Sequence, residues 1–177
     1  GNSNTAVGYE SGTAITTGTF NTAVGTQAGL NLTTGAFNTF LGAFVGDAIT
    51  TANSNVAVGY LALSTDTLGA KNVAVGVSAL LTQNFTTATD SFNTGVGHNA
   101  GKLITTGVGQ TLIGGLAGDA ITTGADNTAV GYQALTTNQT SANNTAVGVS
   151  ALKLNTGADN TAVGRGALLN QAAGSDN

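Results

Sequence analysis

The chain has no cysteine, proline, methionine or tryptophan, and only 7% of its 177 residues are charged. Without cysteine there are no disulfides and no thiolate metal sites, so stability has to come from repetition and backbone hydrogen bonding. Four basic residues, Lys71, Lys102, Lys153 and Arg165, stand against eight acidic ones, for a net charge of −4. Nucleic-acid binding needs clustered cations, and none are present, so nucleic acid is not expected as a partner. No run approaches the ~20 apolar residues that span a bilayer, and no basic-then-apolar leader opens the chain. Large core fillers are scarce, at six phenylalanines and three tyrosines. Such a composition cannot fill a thick globular core; it suits a thin one built many times over.

What the chain does have is a period. The asparagine of an Asn-x-x-[Val/Ile/Leu]-Gly unit recurs at Asn4, Asn21, Asn38, Asn55, Asn72, Asn93, Gln110 (the one glutamine), Asn127, Asn144 and Asn160, and Asn177 opens an eleventh unit. Eight spacings are 17 residues, one is 21 (Asn72 to Asn93) and one is 16 (Asn144 to Asn160). A short fixed period without helical patterning marks a stack in which each unit buries its apolar side against its neighbours. The expected architecture is all-β: a single parallel β-solenoid domain over residues 1–177, with about ten 17-residue coils and essentially no helix.

Numbering each repeat from its asparagine exposes the chemistry of the coil. Column 5 is glycine in all ten repeats, from Gly8 to Gly164. That constancy points to a backbone with positive φ or to a neighbour packed too close for a Cβ. Column 2 is threonine except at Val56 and Val73, and column 4 is valine except at Leu41 and Ile113. Thr-x-Val-Gly therefore reads as a short strand with columns 2 and 4 on one side. The Thr/Val exchange predicts that column 2 is at least partly buried. Column 3, mostly alanine, points the other way, and small apolar residues on both faces predict a strand covered by its own coil and by another chain. Column 1 predicts a ladder of amides, stacked at roughly 4.8 Å.

Columns 9 and 12 exchange. Where column 9 is glycine (Gly12, Gly29, Gly46, Gly101, Gly118), column 12 is aliphatic (Ile15, Leu32, Ile49, Ile104, Ile121). Where column 9 is leucine (Leu63, Leu80, Leu135, Leu152, Leu168), column 12 is polar (Asp66, Gln83, Asn138, Asn155, Gln171). This predicts one aliphatic-sized hole per coil, filled from either of two backbone positions. Column 17 varies between Phe20, Phe37, Phe92 and acidic residues, as an exposed or inter-chain edge would. The four extra residues of the fifth repeat fall within 83–90 and are expected to bulge outward.

The N-V-A-V-G units at 55–59 and 72–76, and N-T-A-V-G elsewhere, resemble the head repeats of trimeric autotransporter (YadA-like) adhesins. The longer form, N-T-A-V-G-Y-Q-A-L with T-T-G-A-x-N, resembles repeats of phage and bacterial tail-fibre-domain proteins. The resemblance covers all ten repeats and implies a trimeric β-roll on an extracellular fibre. The coil is longer than the head repeat and has alanine where that pattern has serine.

No catalytic, cofactor-binding or metal-ligating residue is assigned. His98, the one histidine, occupies the variable column 6 and has no expected partner. Glu10, Asp47, Asp66, Asp90, Asp119, Asp126, Asp159 and Asp176 are dispersed at no more than two per repeat, too thin for calcium. The glycines between Gly107 and Gly115 lack the Lys-Ser/Thr ending of a phosphate loop. Asn31, Asn84, Asn138 and Asn143 open Asn-x-Ser/Thr sequons.

Three roles are open. One is a non-enzymatic segment of an extracellular fibre of adhesin or phage tail-fibre type, acting as a rod-like spacer or as a contact surface for a cell-surface or glycan receptor. A second is a filament subunit that self-associates as a trimer or end to end. A third is ice binding, for which the pairs Thr16-Thr17, Thr33-Thr34, Thr50-Thr51, Thr105-Thr106 and Thr122-Thr123 are suggestive but interrupted. The sequence opens without methionine and closes in the phase of the repeat with which it begins. Both features fit an internal section of a longer fibre, with the alanine columns packing chains side by side.

Overall fold

The computed structural model describes residues 1–170 and 174–177. Among the described residues there is no helix. Ten three-residue strands stack in parallel: β1 (Thr5–Val7), β2 (Thr22–Val24), β3 (Thr39–Leu41), β4 (Val56–Val58), β6 (Val73–Val75), β8 (Thr94–Val96), β9 (Thr111–Ile113), β10 (Thr128–Val130), β11 (Thr145–Val147) and β12 (Thr161–Val163). Two shorter strands, β5 (Gly69–Ala70) and β7 (Thr89–Asp90), form a separate pair. Column meets column throughout, as in Thr5↔Thr22, Ala6↔Ala23 and Val7↔Val24, and neither the 21-residue nor the 16-residue repeat shifts the register. The chain is a parallel β-solenoid.

Two elements of the repeat hold that register. The column 1 amides form a ladder in two runs, Asn4 to Gln110 and Asn127 to Asn177, interrupted where Gln110 Oε1 accepts no bond among the described residues. The backbone N–H of Asn38 donates to Asn21 Oδ1 at 2.9 Å and its Nδ2 to the same oxygen at 3.1 Å, while Nδ2 also donates to Ala52 O at 2.9 Å. The pattern repeats at Asn72, Asn144 and Asn160, with every one of these asparagines fully buried. Each asparagine thus satisfies buried polar groups of its own coil and of the next, as buried donors and acceptors require. Column 5 meets both conditions that demand glycine. Gly131 has φ +135°, and a Cβ there would lie 2.5 Å from Gly148 O in the next coil.

Column 2 is half-buried at Val73, Thr94, Thr111, Thr128 and Thr145, as the Thr/Val exchange predicts, and exposed at Thr5, Thr22, Thr39, Val56 and Thr161. Column 3 faces the core: Ala23, Phe40, Ala57, Ala74, Leu112, Ala129 and Ala146 are wholly buried. Columns 2 and 4 face outward, with Val7 58% and Leu41 47% exposed. The cause is the cross-section of the coil. Column 3 meets the alanines of column 8 (Ala28, Ala62, Ala79, Ala100), also wholly buried, and the residues of columns 9 and 12 from the opposite wall, which leaves room for little beyond a methyl group. The alanine columns are core, so they cannot pack chains side by side.

Column 12 points inward in both coil types. Ile49, Ile104 and Ile121 are buried, but so are Asp66, Gln83, Asn138 and Asn155. Gln171 lies outside the described residues. Asp66 Oδ2 accepts from Gln83 Nε2 at 2.6 Å, and Gln83 Oε1 accepts from Asn93 Nδ2 at 2.8 Å, so an internal polar chain joins three coils. That chain also anchors the insertion of the fifth repeat, because Phe85 N–H donates to Asp66 Oδ1 at 3.1 Å and the Phe85 ring is buried. Thr86, Thr87, Ala88 and Asp90 are exposed, and the returning segment pairs through β7 with β5. The expected bulge is therefore a short tip on an internally bonded base.

Candidate functional surface: the outward strand face

Alternation along each three-residue strand sends column 3 inward and columns 2 and 4 outward, so the stack presents one uninterrupted face ten levels long. Its chemistry is uniform: a row of threonines broken by Val56 and Val73, and a row of β-branched aliphatics broken by Leu41. Neither row carries a charge. Among the described residues, the hydroxyls of Thr22, Thr39, Thr94, Thr111, Thr128 and Thr145 find no hydrogen-bond partner. The first threonine of each Thr-Thr pair behaves differently. Thr33 Oγ1 donates to Thr50 O at 3.1 Å and Thr122 Oγ1 to Gln139 O at 3.0 Å, with Thr16, Thr50 and Thr105 doing the same. Those pairs are coil-to-coil bonds with one free member each, and the regular row of unengaged hydroxyls lies on the strands instead.

Two rims border the face. Column 17 precedes the buried asparagine in a left-handed conformation, with φ 57° at Phe20, 60° at Phe37 and 58° at Asp159. That corner lifts its side chain off the coil. Phe20 and Phe37 stack in parallel with ring centroids 5.3 Å apart, yet each remains more than half exposed. Lys71 Nζ sits 5.1 Å above the Phe92 ring and pairs with Asp90 at 2.6 Å. Column 6 forms the other rim, with Tyr9, Tyr60 and Tyr132 exposed. His98 is exposed in this rim too, as its variable column predicts.

No family model, no curated protein and no solved structure matches the chain.

The remaining candidates of the sequence are dispersed by the fold. Among the described residues no group of three His, Asp or Glu side chains converges. Backbone N–H groups of the glycine-rich stretch already bond to adjacent coils, Gly107 to Thr122 O, Gly109 to Ser91 O and Gly114 to Val96 O, so they are not available to cradle a phosphate. Asn138 of the sequons is fully buried, whereas Asn31 and Asn143 are exposed. No helix among the described residues is long and apolar enough to cross a membrane.

Burial raises the carboxyl groups of Asp47 and Asp119 above their ordinary range, against the opposing effect of nearby backbone N–H groups and, for Asp119, of Lys102. Because the folded state holds these protons more tightly than the unfolded chain, stability falls as pH rises from the unfolded value, about 3.9, through the folded one. Asp47→Asn is therefore expected to raise the melting temperature at pH 7 and to leave it unchanged at pH 3. Melting curves at the two pH values check this, and an equal shift at both would show that the charge is not responsible.

Proposed function

We propose that the chain is a non-enzymatic, rod-forming segment of an extracellular fibre, whose surface serves as spacer or contact area and which associates with copies of itself. The observation that carries this reading is the unbroken register. One glycine column and one strand face continue through ten levels, so the molecule is a rod whose length is set by the number of coils, about 4.8 Å each. Its resemblance to adhesin-head and tail-fibre repeats supports placing the rod outside the cell or on a virion. A cell-surface or glycan receptor belongs to the same proposal, with the exposed rims as its contact.

Localisation with an antibody against residues 1–177 is the test, combined with electron microscopy of the producing cells or particles. The expected result is label along external threads, and a variant lacking two whole 17-residue repeats should give threads shorter by about 10 Å. Label spread through the cell interior would overturn the reading.

A further inference from the structure

The proposal concerns what covers the outward strand face and rests on the fibre reading for its context only. We infer that the face is an interface for a second copy of this chain, running in the same direction and level with it, with the column 17 rim of one copy seated against the column 6 rim of the other.

The face has the size and chemistry for such a partner. Ten levels of about 4.8 Å and a width of about 15 Å give roughly 700 Å² per copy, close to the ~800 Å² that each partner contributes to a standard interface. Its centre is uncharged and carries a row of aliphatic side chains, and the cores of protein contacts are likewise depleted of charge. A flat mineral or ice surface would meet the projecting Phe and Tyr rims before it met the threonines.

The two rims are complementary at the third, fourth and tenth levels. Column 17 carries Phe37 where column 6 carries Ala43, and Ser54 where it carries Tyr60. At the last level column 17 is Asp159 and column 6 is Arg165, opposite charges on the two sides of β12. Within one copy these two do not meet, since Lys71–Asp90 is the one salt bridge among the described residues. Two copies facing each other in the same direction bring unlike rims together at equal levels, so that large meets small and Asp159 meets Arg165. Reversing one copy sets like rim against like rim and the last level against the first, which separates the charges. The pattern does not extend to every level: Gly109 and Gly115 leave both rims bare at the seventh. Charge placement of this kind fixes register more than it adds affinity.

Absence of cysteine from the natural chain makes the test direct. Ser54→Cys with Tyr60→Cys puts one thiol on each rim of the same level, held apart within a copy by β4 and beyond the roughly 7 Å Cα separation of a disulfide. Mild oxidation is expected to give covalent multimers of this variant, while Ser54→Cys with Val149→Cys, at levels four and nine, stays monomeric under the same conditions. In a second measurement, Asp159→Arg should weaken self-association on the order of tenfold by light scattering, and adding Arg165→Asp should restore it. A chain that remains monomeric at high concentration, cross-links equally at mismatched levels, or shapes ice crystals as a monomer would overturn the proposal. A monomer found on external fibres would refute the interface alone, and multimers found only inside the cell would refute the fibre reading alone.

Discussion

Gly131→Ala is expected to destabilise the rod by about 3–5 kcal/mol, while the same change at Gly164 costs only about 1–3 kcal/mol. Both glycines occupy column 5 and both have positive φ, +135° and +126°. At Gly131 the added methyl would lie 2.5 Å from Gly148 O and 2.6 Å from its carbonyl carbon, which belong to the backbone of the next coil and cannot turn aside. At Gly164 the nearest atom is the Ala167 Cβ at 4.0 Å, so only conformational strain remains. Urea denaturation of the two variants separates the components. Equal losses would mean that collision between coils adds nothing and that column 5 is glycine for its φ alone.

The second large effect is a compensation. Leu135 is wholly buried and holds a left-handed conformation with φ 55°. Its replacement by glycine should cost about 2–4 kcal/mol, the loss on emptying an aliphatic site, moderated by relief of a backbone that leucine disfavours. Adding Asn138→Ile should recover much of that loss. In the other coil type a Cβ on Gly118 would lie 2.8 Å from Ile121 Cδ1, and one on Gly12 would lie 3.0 Å from Ile15 Cδ1, so the column 12 side chain reaches the space that a column 9 side chain would enter. Asn138 also leaves its Nδ2 without a protein partner, a group that isoleucine removes. A double-mutant cycle decides the matter, because additive losses would mean that the two positions do not share one space.

Much of this fold is legible in the sequence, since a strict period fixes register once the direction of stacking is known. The asparagine ladder and the column 5 glycines follow from residue type alone. The choice of inner face does not, because Thr-x-Val and the intervening alanine are all compatible with burial. What decides it is the thinness of the coil, visible only when both walls are placed. A usable signal lay in the exceptions. Column 3 is large at Phe40 and Leu112, which the structure sets against the glycines of column 9: Gly29 and Gly46 for the ring, Gly101 and Gly118 for the leucine. Inward residues trade volume with inward residues, so that exchange identifies column 3 as core. The left-handed corners were hidden for a different reason. Columns 7 and 17 adopt positive φ with Gln27, Phe44, Leu61 or Phe37 in place, and none of these residue types announces it.

Because the bonds between coils, such as Thr39 N–H to Asn55 O at 2.8 Å and Gly59 N–H to Leu41 O at 2.9 Å, point along the rod, the levels are joined in series and tension applied to the two ends loads them all. Among the described residues no bond spans more than one step of the stack, and without cysteine no disulfide ties distant coils. A pulled rod therefore yields as a thread paid out from a spool, each released coil adding roughly 50 Å of slack where it had contributed about 5 Å of length. A rod built this way holds its length at rest and lengthens by about an order of magnitude once its coils release.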